Sequence, residues 1–395
     1  MYGKIKEDLI SRLKEVREAG LYKDERIIAG PQNVEILVSG RTVLNFCANN
    51  YLGLSSHPKV IDAAHDALKE WGFGLSSVRF ICGTQTIHKK LEEKMSAFLG
   101  TGDTLLYAAC FDANGGVFEP FFDGDCAILT DALNHASLID GIRLTRAQRF
   151  IFQHMDMQDL EEKLKDAAGC RYRVIVTDGV FSMDGDIAPL KDICALAKKY
   201  DALVLVDDSH ATGFIGKSGR GTPELCGVTG QVDLITTTFG KALGGASGGC
   251  VSGRKEMIEW LRQKSRPYLF SNTLSPVVAG ATVAVLDMLS QNTDLRDKLE
   301  SNTQYFRKKI SALGFDVREG IHPIVPVMLY DEIKTHAMAD ALLDEGIYVI
   351  GFSYPVVPTG QARIRVQLSA AHEKDHMDRA VEAFRKIGRD MGLIS

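Results

Sequence analysis

The chain has 395 residues, enough for two or three ordinary domains or one large domain with a smaller satellite. Hydrophobic residues make up 45% and charged residues 25%, a globular balance with ample core. A net charge of -5 argues against nucleic acid or an anionic membrane as the main partner, and no apolar run approaches transmembrane length.

The amino-terminal stretch MYGKIKEDLISRLKEVREAG has no apolar signal core. It reads as a charged amphipathic helix with Ile5, Leu9, Leu13 and Val16 on one side. Eight scattered cysteines show no CxxC and no histidine at ligand spacing, so they are expected to be reduced core residues of a cytoplasmic protein, with no metal site. From about Asp103 to Gly253, short β-rich runs alternate with helical patterns. LLYAAC, CAILTD, RVIVTD, LVLVDD, DLITTT and GGCVSG are the predicted strands, and Asp156–Lys165 and Pro189–Tyr200 are predicted helices. This alternation predicts an α/β fold whose mostly parallel sheet is covered by helices on both faces. One long helical stretch is expected from about Pro276 to Leu313. After it come short strands in IVPVML, IYVIGF and ARIRVQL and a final helix from about Glu373, together a smaller α+β domain. The expected organisation is an amino-terminal helix and arm over 1–45, a large domain over 46–285 and a small domain over 286–395.

Ligands of such sheets sit outside the carboxyl ends of the strands, so polar residues that follow strand runs are the candidates. The stretch TTTFGKALGGASGG places Lys241 among glycines. It is a surface turn, a phosphate loop or a lysine that forms an imine with a carbonyl. The phosphate-loop pattern fails, because it needs a glycine where Ile235 stands and Ser or Thr where Ala242 stands. One strand earlier, VLVDDSHATGFIG ends an apolar run on Asp207, with His210 just beyond. A carboxylate there needs a cationic or hydrogen-bonding partner. If Lys241 forms an imine with pyridoxal phosphate, an aspartate favouring the protonated ring nitrogen lets the ring absorb carbanion electrons. One crossover of a parallel sheet fits the interval between Asp207 and Lys241. Cys110 and Phe111, where a strand passes into a helix, can offer backbone amides to an anion, and Thr238 can offer a hydroxyl. Weaker alone are His135, read as a helix-terminal histidine or a ring-stacking one, and Ser182. Ser271 and Asn272 look locally like a helix N-terminal cap. In RIRVQLS, Arg363 is expected to face solvent and Arg365 to turn inward and clamp a carboxylate. No good dinucleotide fingerprint and no G-x-S-x-G elbow is present.

Six segments, NFCANNYLGLSSHP, GFGLSSVRFICGTQTIHKKLEE, DALNHASLIDG, TDGVFSMDGD, VDDSHATGFIG and TTTFGKALGGASGG, together resemble the α-oxoamine synthase family of fold-type I pyridoxal-phosphate enzymes. The resemblance runs over nearly the whole chain. It implies that Lys241 carries the cofactor, Asp207 pairs with the pyridine nitrogen, and His210 and Ser182 lie near the phenolic oxygen. Cys110, Phe111 and Thr238 would surround the phosphate, and His135 would stack on the ring. Ser271 and Asn272 would reach the cofactor of the other subunit of a homodimer, and Asn50, His135 and Arg365 would orient the amino acid. The implied activity is reversible condensation of glycine with acetyl-CoA to 2-amino-3-oxobutyrate and CoA, acting in threonine degradation. The alternative is a sister synthase using alanine and a longer acyl-CoA.

Overall fold

The computed structural model describes residues 2–18, 21–23 and 25–395; Met1, Ala19, Gly20 and Asp24 of the expected amino-terminal arm lie outside the described residues. The chain forms two compact units, Asn49–Glu300 and a second made of Met1–Ala48 with Ser301–Ser395. The sequence reading placed its divisions at 45/46 and 285/286, and the second of these falls inside the helix Pro276–Gln291.

The amino-terminal part of the second unit begins with helix Gly3–Glu18, which buries none of its residues in a single chain. An antiparallel pair follows, β1 (Glu35–Val38) and β2 (Arg41–Asn45), turning through Ser39 and Gly40 at positive φ.

The larger unit holds a seven-stranded sheet built from β3 (Asp103–Tyr107), β4 (Ala127–Asp131), β5 (Gln148–Phe152), β6 (Arg173–Asp178), β7 (Leu203–Asp207), β8 (Leu234–Thr238) and β9 (Gly249–Gly253). Their spatial order is β3-β9-β8-β7-β6-β4-β5, with β9 antiparallel to both neighbours and the remaining pairs parallel. The central strands are buried along nearly their whole length, as helices on both faces require, and β4, β6 and β7 carry apolar runs while β8 ends in three threonines. Leu105, Val176, Leu205, Leu234 and Val251 from the sheet pack with Ala113, Leu138 and Ile258 from flanking helices. The missed strand is β5. It is the sheet's edge, and its Gln148 and Arg149 are exposed, so the apolar run that marks the central strands is absent. Helix Thr86–Leu99 is held at both ends. Its amino end has a capping box in which His88 Nδ1 accepts from Gln85 N at 3.1 Å, and Gly100 closes the other end in the left-handed conformation.

At the edge of this sheet the imidazole of His154 lies 3.0 Å from Asp131 Oδ1, at the end of β4, and 3.6 Å from Asp186. Burial alone would lower the His154 pKa, but the two carboxylates outweigh it and push it up to about 9. The ion pairs therefore stabilise the fold fully below the ordinary value of 6.5, and this contribution fades as pH rises through about 9. Urea titrations should show a stability loss approaching about 3 kcal/mol over that window. His154→Gln should flatten the profile, and an unchanged profile in the variant would remove this cluster as its cause.

The expected single helix over 276–313 is two, Pro276–Gln291 and Asp294–Ser311, broken where Asn292 is extended. The apolar spacing lapses over the polar stretch Ser290–Asp294, a helix-stop and helix-start signal that the reading of one long helix passed over. The rest of the second unit adds β10 (Ile324–Met328), β11 (Ile347–Tyr348), β12 (Gly351–Phe352) and β13 (Arg363–Gln367), and ends in helix Lys374–Asp390. The segment IYVIGF, expected as one strand, serves two sheets. Its β11 adds in parallel to β2, while β12 pairs with β13 in the sheet β10-β13-β12. Because β13 is the centre of that sheet, every residue of RIRVQ is buried. Arg363 therefore does not face solvent as expected: it is 1% exposed, and its Nε donates to Gln361 O at 2.8 Å.

All eight cysteines are free thiols; Cys110, Cys126, Cys194 and Cys250 are buried, and Cys82 is exposed. No helix among the described residues is long and apolar enough to cross a membrane.

Candidate active site

The carboxyl ends of β6, β7 and β8 bring Asp178, Asp207 and Thr238 to one rim of the sheet. There they join the turn carrying Lys241 and the first residues of helix Cys110–Gly116 around a cavity of about 210 Å³. Of the residues expected from sequence, Cys110, Phe111, His135, Asp207, His210, Thr238 and Lys241 line it. Asn50, Ser182, Ser271 and Asn272 belong to the same unit but lie outside this wall, and Arg365 belongs to the other unit.

The glycines around Lys241 allow close backbone approach. A Cβ on Gly249 would meet Cys110 N at 2.6 Å, so only glycine lets β9 lie against the head of that helix. Gly248 adopts φ +94°, and a Cβ there would also strike Leu274 and Phe239. The plain solvated-turn reading does not account for this crowding. Thr238 Oγ1 accepts from Gly240 N at 3.0 Å and lies 3.3 Å from Gly248 O, bracing the turn from inside.

Asp207 is buried, and each of its oxygens accepts a hydrogen bond. Asn114 Nδ2 donates to Oδ2 at 2.6 Å, and Ser209 N donates to Oδ1 at 3.0 Å. Asn114 Nδ2 also donates to Ser137 Oγ at 2.9 Å, and that hydroxyl lies 2.7 Å from His135 Nδ1. A polar chain thus runs from the Asp207 carboxylate to the imidazole. The Ser137 amide donates to the same Nδ1 at 3.2 Å, which makes Nδ1 an acceptor and leaves the ring proton on Nε2. Burial, partly opposed by Asp207, lowers the His135 pKa, so the ring is neutral near pH 7. His135 is also the N-cap of helix Ala136–Arg143, so the bland reading and the site reading both describe it. His210 Nδ1 lies 2.8 Å from the hydroxyl of buried Tyr51, whose ring stacks on Phe214 at 4.5 Å. Burial and nearby Asp207 hold the Cys110 thiol well above its usual range, so that side chain is no nucleophile.

Outside the cavity, Asn50 Oδ1 accepts from Ser55 N at 3.2 Å. Ser271 closes the carboxyl end of helix Arg266–Phe270, and the next helix is capped at Ser275, so the N-cap reading of Ser271 and Asn272 is corrected. In the other unit the Arg365 guanidinium lies over the Phe352 ring at 4.8 Å.

Sequence reasoning assigned no site role to Tyr51, Asn114, Ser137, Asp178 or Ser209. For Asp178 a signal existed, since RVIVTD ends on aspartate as LVLVDD does. Ser137 and Ser209 carried none, because short hydroxyl side chains after a strand are common turn residues.

The donor set suits pyridoxal phosphate. A lysine faces a buried carboxylate across a small cavity, a neutral imidazole lines the wall, and a helix start supplies amides for an anion. Two fully buried oxygens on this wall, Asp178 Oδ1 and Asn114 Oδ1, have no hydrogen-bond partner in the protein, as expected of groups placed toward a ligand.

This strand order with the site at the strand ends defines a fold-type I pyridoxal-phosphate transferase. The chain belongs to the aminotransferase class I and II family, whose model matches residues 41–384. It is 56% identical to the 2-amino-3-ketobutyrate coenzyme A ligase of Escherichia coli K12 over the full length of both chains. It is 55% identical to the mitochondrial 2-amino-3-ketobutyrate coenzyme A ligase of Mus musculus, over 98% of this chain and 93% of the relative. Among solved structures, a variant serine palmitoyltransferase from S. paucimobilis with bound PLP and myriocin superposes with a TM-score of 0.92 at 31% identity, covering all of both chains.

Proposed function

We propose that the chain is a pyridoxal-phosphate-dependent acyltransferase that condenses glycine with acetyl-CoA, reversibly, to 2-amino-3-oxobutyrate and CoA, in the route from threonine to glycine. The observation that carries the proposal is the presence of Lys241 and Asp207 in one cavity at the carboxyl ends of adjacent parallel strands. The names and full-length identity of the relatives support the substrate pair.

When bound, the cofactor supplies an electron sink for the charge left on a substrate carbon. Lys241 would hold the cofactor through its amine, and the same amine, when free, would take the proton from the glycine α-carbon as general base. Asp207, whose two oxygens accept from Asn114 Nδ2 and Ser209 N, would favour the protonated ring nitrogen. His135 would stack on the cofactor ring and orient the substrate, with its tautomer set by the Ser137 amide. His210 and Ser182 serve the phenolic oxygen, and the Cys110 and Phe111 amides with Thr238 serve the phosphate. Arg365 clamps the glycine carboxylate, and Asn50 helps to orient the amino acid. Ser271 and exposed Asn272 would serve the partner's cofactor in a homodimer. Eight free thiols support a reducing compartment, and we place the protein in the cytoplasm.

The test is a panel of glycine, alanine and serine against acyl-CoAs of increasing length, following release of free thiol from the holoenzyme. Glycine with acetyl-CoA should exceed every other pair by at least about tenfold, given what one methylene contributes to pocket discrimination. Preferred release with alanine and a longer acyl chain would replace this reading with that of a sister synthase.

A further inference from the structure

Asp178 has no part in the scheme above, yet it stands beside Asp207. The two are register partners on the parallel strands β6 and β7, and both line the cavity. In-register side chains on neighbouring strands share a face and are separated by about 4.8 Å at the backbone. Both residues are buried, Asp178 at 4% and Asp207 at 6% exposure. Two carboxylates this close in a buried site resist ionising together.

The hydrogen bonds differ between the two. Both oxygens of Asp207 accept, from Asn114 Nδ2 and Ser209 N. Asp178 accepts only from the His135 amide, at 3.1 Å on Oδ2, and its Oδ1 is buried with no partner in the protein. The better-solvated member of such a pair keeps the charge, and the poorly solvated member keeps the proton.

We propose that Asp178 and Asp207 together hold one negative charge, with the proton on Asp178, which acts as a neutral positioning residue for His135 and turns its second oxygen toward the ligand. The charged and titratable groups around Asp178 agree. Burial raises its pKa well above the carboxylate range, and Asp207 on β7 and Asp131 on β4 add to the effect. Lys241 and the His135 amide pull the other way without overcoming it. The arrangement leaves Asp207 as the one anion of the pair facing a cationic ring nitrogen, while Asp178 anchors the head of the helix whose cap is His135. The consequence for the ligand rests on the proposed pairing of Asp207 with the cofactor.

Infrared spectroscopy of the cofactor-free protein tests the proton directly. At about pH 8, Asp208, pushed up to about 6 by burial, is ionised and does not interfere. Wild type should show the carbonyl stretch of a protonated carboxylic acid. The band should shift on labelling aspartate carboxyls with carbon-13 and vanish in Asp178→Asn. A wild type without the band, a band unmoved by the label, or a band that persists in Asp178→Asn would overturn the proposal. Asparagine preserves the acceptor for the His135 amide and alanine does not, so equilibrium binding of pyridoxal phosphate should be about tenfold weaker in Asp178→Ala than in Asp178→Asn. Equal loss in both variants would overturn the positioning role. Unchanged cofactor affinity in Asp207→Asn would sink the ring-nitrogen reading while leaving the infrared assignment to Asp178 intact.

Discussion

Lys241→Ala is expected to lower kcat/KM for thiol release from glycine and acetyl-CoA by at least about 10⁴-fold, the upper range for loss of a positioned general base. In the proposed scheme the lysine has two tasks, holding the cofactor and moving the α-proton, and no second amine lines the cavity to take over either one. The purified variant should also lack the visible absorbance of lysine-bound cofactor and should release its pyridoxal phosphate on dialysis. Lys241→Arg should fare no better, because a guanidinium stays charged and can neither attach to the aldehyde nor accept a proton at neutral pH. The side chain is only half-buried, so apo-protein stability should change by less than about 1 kcal/mol in either variant. Turnover near the wild-type rate in Lys241→Ala would end the lysine mechanism.

The largest stability effect is expected at Glu92, away from the cavity wall. Its carboxylate is 1% exposed inside helix Thr86–Leu99 and accepts from Arg79 at 2.9 Å, from Arg262 at 3.1 and 3.3 Å, and from Lys89. Burial alone would raise the Glu92 pKa, but the guanidinium groups of Arg79 and Arg262 hold it below the usual range. Glu92→Ala leaves the 5%-exposed Arg79 without its carboxylate, whereas Arg262 keeps Asp103 at 3.2 Å. Removing one partner of a buried ion pair costs about 3–5 kcal/mol, because the remaining charge is stranded. Urea unfolding of the apo-protein should show a loss of that size, and a loss below about 1 kcal/mol would mean water reaches Arg79. A depressed carboxylate stabilises above its unfolded pKa of about 4.5, so wild-type stability should fall as pH drops through the lower folded value. Glu92→Ala should lack that acid limb. The consequence extends beyond stability, because Arg79 sits in GFGLSSVRFICGTQTIHKKLEE, one of the six segments that carry the family resemblance, and Arg79 Nε donates to Thr84 Oγ1 at 3.0 Å to close that loop.

The chemical centre was legible because its residues follow strand ends and their chemistries need each other. A strand-end aspartate and a glycine-framed lysine one crossover later are a joint signal that neither makes alone. The supporting polar chain was not legible. His135 and Ser137 belong to one helix cap, but Asn114 lies 21 and 23 residues before them and no local pattern links it to that cap. They meet because the strand–helix connections after β3 and β4 open onto the same rim. Arg363 was misread for a similar reason, since alternation in RIRVQ says that faces differ but cannot say that both are covered.

Hydrophobic periodicity alone determined the α/β class, the central strands and the order in which site residues enter the chain, because apolar runs must be buried wherever they are placed. Glycine pattern and strand-end chemistry singled out Lys241 and Asp207. Only the tertiary structure decided which strands became edges, where one apolar segment divides between two sheets, and how β6 and β7 align. That last alignment puts Asp178 against Asp207, and charge balance between two buried carboxyls depends on distance in space, which linear order does not encode.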